Sequence, residues 1–123
     1  MKNLSGKFKR KALKAGMSET ESNIIIIEIF ETCYNLGLKK EDVNGMFLAL
    51  EQMVTKGRIS SEDLRRKLGS RIPGVMNIMA DAIGIPITEL DEMIRNGDVI
   101  SCNVLPEFIA KMNIVMSHQN KNY

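Results

Sequence analysis

The sequence predicts an all-α fold, a compact bundle of about six or seven short helices with Gly-terminated connections. Three observations predict it. Glycines at 16, 37, 57, 69, 84 and 97 fall at intervals of about one helix, and a helix C-terminus favours a residue that tolerates positive φ. Between them apolar residues recur at i, i+3, i+4 and i+7, the period of a helix with one buried face. Capping residues precede several of the runs, since a Ser or Thr hydroxyl accepts a bond from an orphan amide. No segment shows the alternation of a half-buried sheet.

Residues 7–15 (KFKRKALKA) form a short basic helix ending at Gly16, with Phe8, Ala12 and Leu13 as its thin apolar side. Ser18 and Glu21 make a capping box, and the helix they open runs to Leu36, stopped by Gly37. This segment is contested. Ile24 to Ile27, then Ile29 and Phe30, favour a strand by propensity. The caps at both ends, and Glu19, Glu21, Glu28 and Glu31 on wet helical positions, decide for helix. So many isoleucines imply burial on more than one side, or an exposed patch meant for a partner.

The next helix spans Lys40 to Thr55, with Val43, Phe47, Leu50 and Val54 on one face and Gly45 tolerated inside it at about 1 kcal/mol relative to Ala. A short helix, Ser61–Leu68, follows, capped by Ser60 with Asp63 and stopped by Gly69. Pro73 suits the first turn of a helix reaching Ile83, because its missing donor costs nothing there. Thr88 with Asp91 caps Glu89–Arg95. The last helix, Asn103–Met116, carries Pro106 in its first turn. Residues 1–16 are thus a basic N-terminal segment or short helix, 17–117 the helical domain, and 118–123 a polar tail.

Composition narrows the function. With 123 residues the chain is one domain's worth, enough for a modest core. Cys33 and Cys102 stand 69 positions apart in apolar contexts, so they read as two buried free thiols rather than a disulfide framework or zinc cluster. The single histidine, His118, can make neither a metal site nor a triad. No Gly-rich phosphate loop is present, and acidic pairs such as Glu62–Asp63 stand at helix N-termini, where they complement the dipole. The expectation is no enzyme, no metal and no cofactor. No apolar run approaches the roughly 20 residues of a membrane span. The nine methionines read as adaptable core filling.

Charge runs in blocks beneath a net of +2. Residues 1–16 hold six basic groups and no acid; 17–54 hold seven acids against two lysines; 55–72 are six basic against two acidic; 73–99 are five acidic against one basic. Neighbouring helices of opposite sign attract one another weakly. Alternatively, the basic N-terminus and the 58–71 corner are halves of one surface for an acidic partner or nucleic acid. Residues 76–97 (MNIMADAIGIPITELDEMIRNG) have the outline of a helix-turn-helix. Their second helix presents Glu89, Asp91 and Glu92 against Arg95, so phosphate repulsion disfavours groove docking. Non-specific nucleic-acid binding through the N-terminal lysines stays open.

Residues 46–75 (MFLALEQMVTKGRISSEDLRRKLGSRIPGV) resemble the tape measure domain of long-tailed bacteriophages. The matching residues are Lys56, Gly57, Ser61, Glu62, Leu64, Leu68, Gly69, Arg71, Pro73 and Gly74. Lys67 stands where that family usually has glutamine, and Ser70 where it has glutamate. MADAIGIPITELDEMIRNGDVISCNVLPEF looks like the same family's downstream half, so the resemblance covers about residues 8–112. It implies a structural module acting by protein–protein contact in tail assembly and tail-length determination, with phage tail proteins or tail-assembly chaperones as partners. It also implies a place in the bacterial host cytoplasm during assembly and in the virion tail. A stand-alone regulator competing for the same partners, and a small helical nucleic-acid binder, are the alternatives. Arg58, Arg65, Arg66 and Arg71 are the candidate partner contacts; Gly57, Gly69, Pro73 and Gly74 shape the corner. One unbroken helix of this length would reach about 185 Å. Six helix-stopping glycines and three prolines forbid it, so the segment is not itself a ruler.

Overall fold

Ser18 opens the longest predicted helix as expected. Its hydroxyl accepts from the Glu21 amide at 3.0 Å, and the Glu21 carboxylate accepts from the Ser18 amide at 3.2 Å. In the computed structural model, which describes residues 3–120, six α-helices and one π-helical segment follow in order. They are α1 (Leu4–Lys14), α2 (Glu19–Leu36), α3 (Lys40–Lys56), the π segment (Glu62–Leu68), α4 (Val75–Ile83), α5 (Ile87–Arg95) and α6 (Ser101–Asn120). Among the described residues there is no strand, only one isolated antiparallel bridge between Arg58 and Ile100. The isoleucine run is helical because caps and partners override strand propensity.

The helices pack chiefly as α2 on α6, α1 on α3 and α4 on α6. Phe8, Phe47 and Phe108 sit at the centre with almost no exposure. Phe47 lies 6.4 Å from Phe8 and 5.2 Å from Phe30, ring centre to ring centre. Met46, Met53, Met79, Met112 and Met116 are buried, the core-filling role of a flexible thioether. The basic α1 is part of this body, since Phe8 and Ala12 are fully buried.

Several boundaries move, each for a local reason. α1 starts at Leu4, because the Asn3 side chain accepts from the Gly6 amide at 2.9 Å. Leu13 is exposed rather than part of the apolar side. α4 starts at Val75, not Pro73. Gly74 at φ 70° makes the entry, and a left-handed residue cannot lie inside a helix. α5 starts at Ile87 with Pro86 ahead of it and no side-chain cap, so Thr88 lies within the helix. α6 starts two residues earlier than expected and encloses Pro106. It also continues to Asn120, carrying His118 on its last turn; residues 121–123 lie outside the described part. Cys33 is buried, but Cys102 is only half-buried. Burial, followed by the nearby Asp42 carboxylate, pushes the Cys33 thiol up to about 11.

Candidate functional site

The corner from Lys56 to Val75 departs most from expectation. Gly57 ends α3 at φ 80°, and the chain then runs beside the start of α6. The Ile59 amide donates to the Val99 carbonyl at 2.9 Å, and the Ser101 amide to the Gly57 carbonyl at 3.0 Å. The buried Ser101 hydroxyl donates to the Met53 carbonyl at 2.6 Å. The corner is thus stitched to a segment 40 residues away in sequence.

Ser60 caps as read, accepting from the Asp63 amide at 3.1 Å. The short helix it precedes is π, not α. The Gly69 amide reaches the Leu64 carbonyl at 2.9 Å, five residues back, the bond that defines a π turn. Gly69 is not the left-handed stop that the sequence suggested; its φ is −63°. Its role is space: a Cβ there would fall 2.0 Å from the Arg65 carbonyl oxygen.

Inside the corner lies an acid that the sequence marks only as a partner of the Ser60 cap and the helix dipole. The Asp63 side chain is wholly buried. The Lys56 ammonium donates to Oδ2 at 3.0 Å, and the Lys67 ammonium stands 3.1 Å from Oδ1. Both lysines are partly exposed, so the carboxylate lies just under the surface. Burial pushes its pKa up, but hydrogen bonds from Lys56, Lys67 and Ser60 outweigh it and hold the carboxyl below its ordinary value. Lys67 also bonds the Gln52 side chain on α3. Lys67 therefore bridges α3 to Asp63. The sequence signal was the spacing: Lys56 and Lys67 stand seven before and four after Asp63.

The four candidate arginines divide. Arg71 is a clamp: its Nε donates to Asp42 at 3.1 Å and its Nη1 to the Lys67 carbonyl at 2.7 Å. It lies across Gly45, where a Cβ would stand 2.4 Å from Nη2. Gly45 is thus the seat of that guanidinium rather than a tolerated interruption of α3. Arg65 pairs with Asp91 on α5. Arg66 pairs with Glu62 within the segment at 3.2 Å and is 80% exposed. Arg58 is exposed and passes over Gly97. Gly74 and the exposed Pro73 turn the chain out of the corner.

The structure also brings the two basic blocks together. Lys7 and Lys11 of α1 line one groove of about 550 Å³ with Lys56 and Lys67, over Leu48 and Gln52. Glu51 and Glu62 lie in the same groove, and Lys7 stands 3.7 Å from Glu51. Lys9 pairs with Glu19 on α2 at 3.1 Å. Part of the charge alternation is therefore used internally, helix against helix.

No three His, Cys, Asp or Glu among the described residues are placed to hold a metal ion, and none of the described helices is long and apolar enough to cross a membrane. What the corner offers is positive charge held on a frame of packed helices. A family profile described as tape measure protein matches residues 1–121. A "Probable tape measure protein" of Salmonella phage Felix O1 (isolate Felix O1-VT1) is 40% identical over 76 residues, 62% of this chain and 10% of the relative. No solved structure matches the chain. The chain belongs to the tape measure protein family. It covers about a tenth of that relative's length.

Proposed function

We propose that this chain acts by protein–protein contact in phage tail assembly and in setting tail length, with the basic corner and the α1 lysines as its docking face. The observation that carries the reading is the convergence of Lys7, Lys11, Lys56 and Lys67 on one groove, with Arg66 beside it. Those cations come from segments far apart in sequence, and the packing of α1 and of the π segment on α3 makes them one surface. Such a surface takes an acidic partner, and tail proteins and tail-assembly chaperones are the partners the family suggests. The work is done in the host cytoplasm during assembly and ends in the virion tail. Arg58 and Arg66 are the outward contacts, while Arg65 and Arg71 hold the frame that presents them.

Arg58→Glu with Arg66→Glu tests the face without touching the clamps. The helical content should be unchanged, and capture of tail proteins from cells expressing a complete tail gene cluster should fall about tenfold or more, with added salt weakening the wild-type capture. Unchanged capture removes the corner from the interface. Tails of unaltered length, seen by electron microscopy after the same changes in the phage, would remove it from length determination.

A further inference from the structure

α2 carries a second surface, unrelated to the basic corner. Its inner side is buried through Ile25, Ile29 and Cys33. Its outer side leaves Ile24 48%, Ile27 57%, Phe30 49% and Tyr34 83% exposed. The isoleucine run is thus split between core and solvent. Positions 24, 27, 31 and 34 follow a 3-4-3 spacing, the seam by which one helix packs along another. The seam spans about 15 Å at 1.5 Å per residue. Beside it, between α2 and α6, lies a shallow groove of about 610 Å³ whose lining includes Phe30, Tyr34, Asn113 and Ser117.

The charge carried by α2 itself is of one sign. α2 has four glutamates and no basic residue. Glu19 is paired with Lys9, and Glu21 is spent in the capping box. Glu31 occupies a seam position and accepts from Asn113 at 2.9 Å. Glu28, next to it on the helix surface, has a buried Oε1 with no hydrogen-bond partner among the described residues. Burial, then repulsion from Glu31, holds the Glu28 carboxyl above its ordinary value. An apolar partner would desolvate these carboxylates uncompensated. Two copies meeting α2 to α2 would set acid against acid.

We propose that the outer face of α2 is a docking site for an amphipathic helix of a partner protein, one with an apolar stripe flanked by lysine or arginine. The apolar stripe fills the Ile24–Ile27–Tyr34 seam, as in other helix-in-groove interfaces. The basic flank meets Glu28 and Glu31.

The test uses the full chain and a designed 18-residue helical peptide with leucines at 3-4 spacing, lysine flanks and one tryptophan. The chain has no tryptophan, so the emission reports the peptide alone. The lysine peptide should bind at least tenfold tighter than its twin with glutamate flanks. Ile27→Ser with Tyr34→Ser should weaken binding at least tenfold, while Ile87→Ser, at an exposed isoleucine on α5, should leave it intact. Glu31→Gln should narrow the preference for lysine, and it reads the same face should the double variant lose helicity. Unchanged affinity in the stripe variants, or equal binding of both peptides, overturns the proposal. So does reversible self-association abolished by the stripe variants, since a second copy would then be the occupant.

Discussion

Asp63 has no solvent exposure, yet it stands between two lysine ammoniums that keep it ionised. Removing its charge leaves those two lysines without their counter-ion. Asp63→Asn should cost about 1–3 kcal/mol, the usual penalty for stranding a buried polar partner, read as a shift in the urea midpoint at pH 7. The sign of the pH dependence follows from the depressed folded pKa. Stability from Asp63 is present above the unfolded pKa of about 4 and is lost as pH falls through the lower, folded value. The wild type should therefore lose stability in that acid window by more than Asp63→Asn does; parallel acid titrations of the two would refute the ion-pair account. Two glycines make a second contrast. Gly69→Ala drives a Cβ into the fixed Arg65 carbonyl and should destabilise by about 1–3 kcal/mol through overpacking. Gly45→Ala meets only the mobile end of Arg71, and the helix gains about 1 kcal/mol in propensity. Its melting temperature should stay close to wild type, while the Arg71–Asp42 pair is lost.

At the scale of the element, local chemistry decides where α2 begins. Ser18→Ala removes one half of its capping box and should cost about 1 kcal/mol, seen as loss of amide protection over residues 19–22 in hydrogen exchange. Protection unchanged there would show that packing alone sets the start. The π segment is the opposite case. Nothing in EDLRRKL distinguishes a π turn from an α turn by propensity. The widened turn is fixed by contacts made elsewhere: Asp63 drawn to Lys56, Leu64 and Leu68 buried, and Gly69 admitting the Arg65 carbonyl. Gly69 was legible as a special position, but for the wrong reason, because a glycine marks either positive φ or close approach and the sequence does not say which.

For the molecule as a whole, the basic N-terminus tests how far the body is one cooperative unit. Phe8 on α1 touches the Phe47 cluster and is fully buried. Phe8→Ala should destabilise by about 3–5 kcal/mol, with fluorescence-independent probes such as far-UV circular dichroism and hydrogen exchange showing one lowered transition. A separate early transition for α1, with the remainder unchanged, would show that residues 1–16 are an appendage. The charge blocks read from composition also resolve at this scale. Lys9 meets Glu19 and Arg71 meets Asp42 across helix pairs, while Lys11 lines the groove and Arg66 pairs only within its own segment.

The sequence alone determined that the chain is helical, where most helices stop, which faces are apolar and that no single rod forms. Those properties rest on interactions between residues a few positions apart, such as caps, left-handed glycines and the 3.6-residue period. The tertiary structure decided which arginines are clamps, that Asp63 is buried, and which isoleucines face solvent. Arg65 finds Asp91 and Arg71 finds Asp42 across 26 and 29 residues. Burial and pairing of that kind depend on which distant surface arrives, and a stretch of sequence does not carry that information by itself.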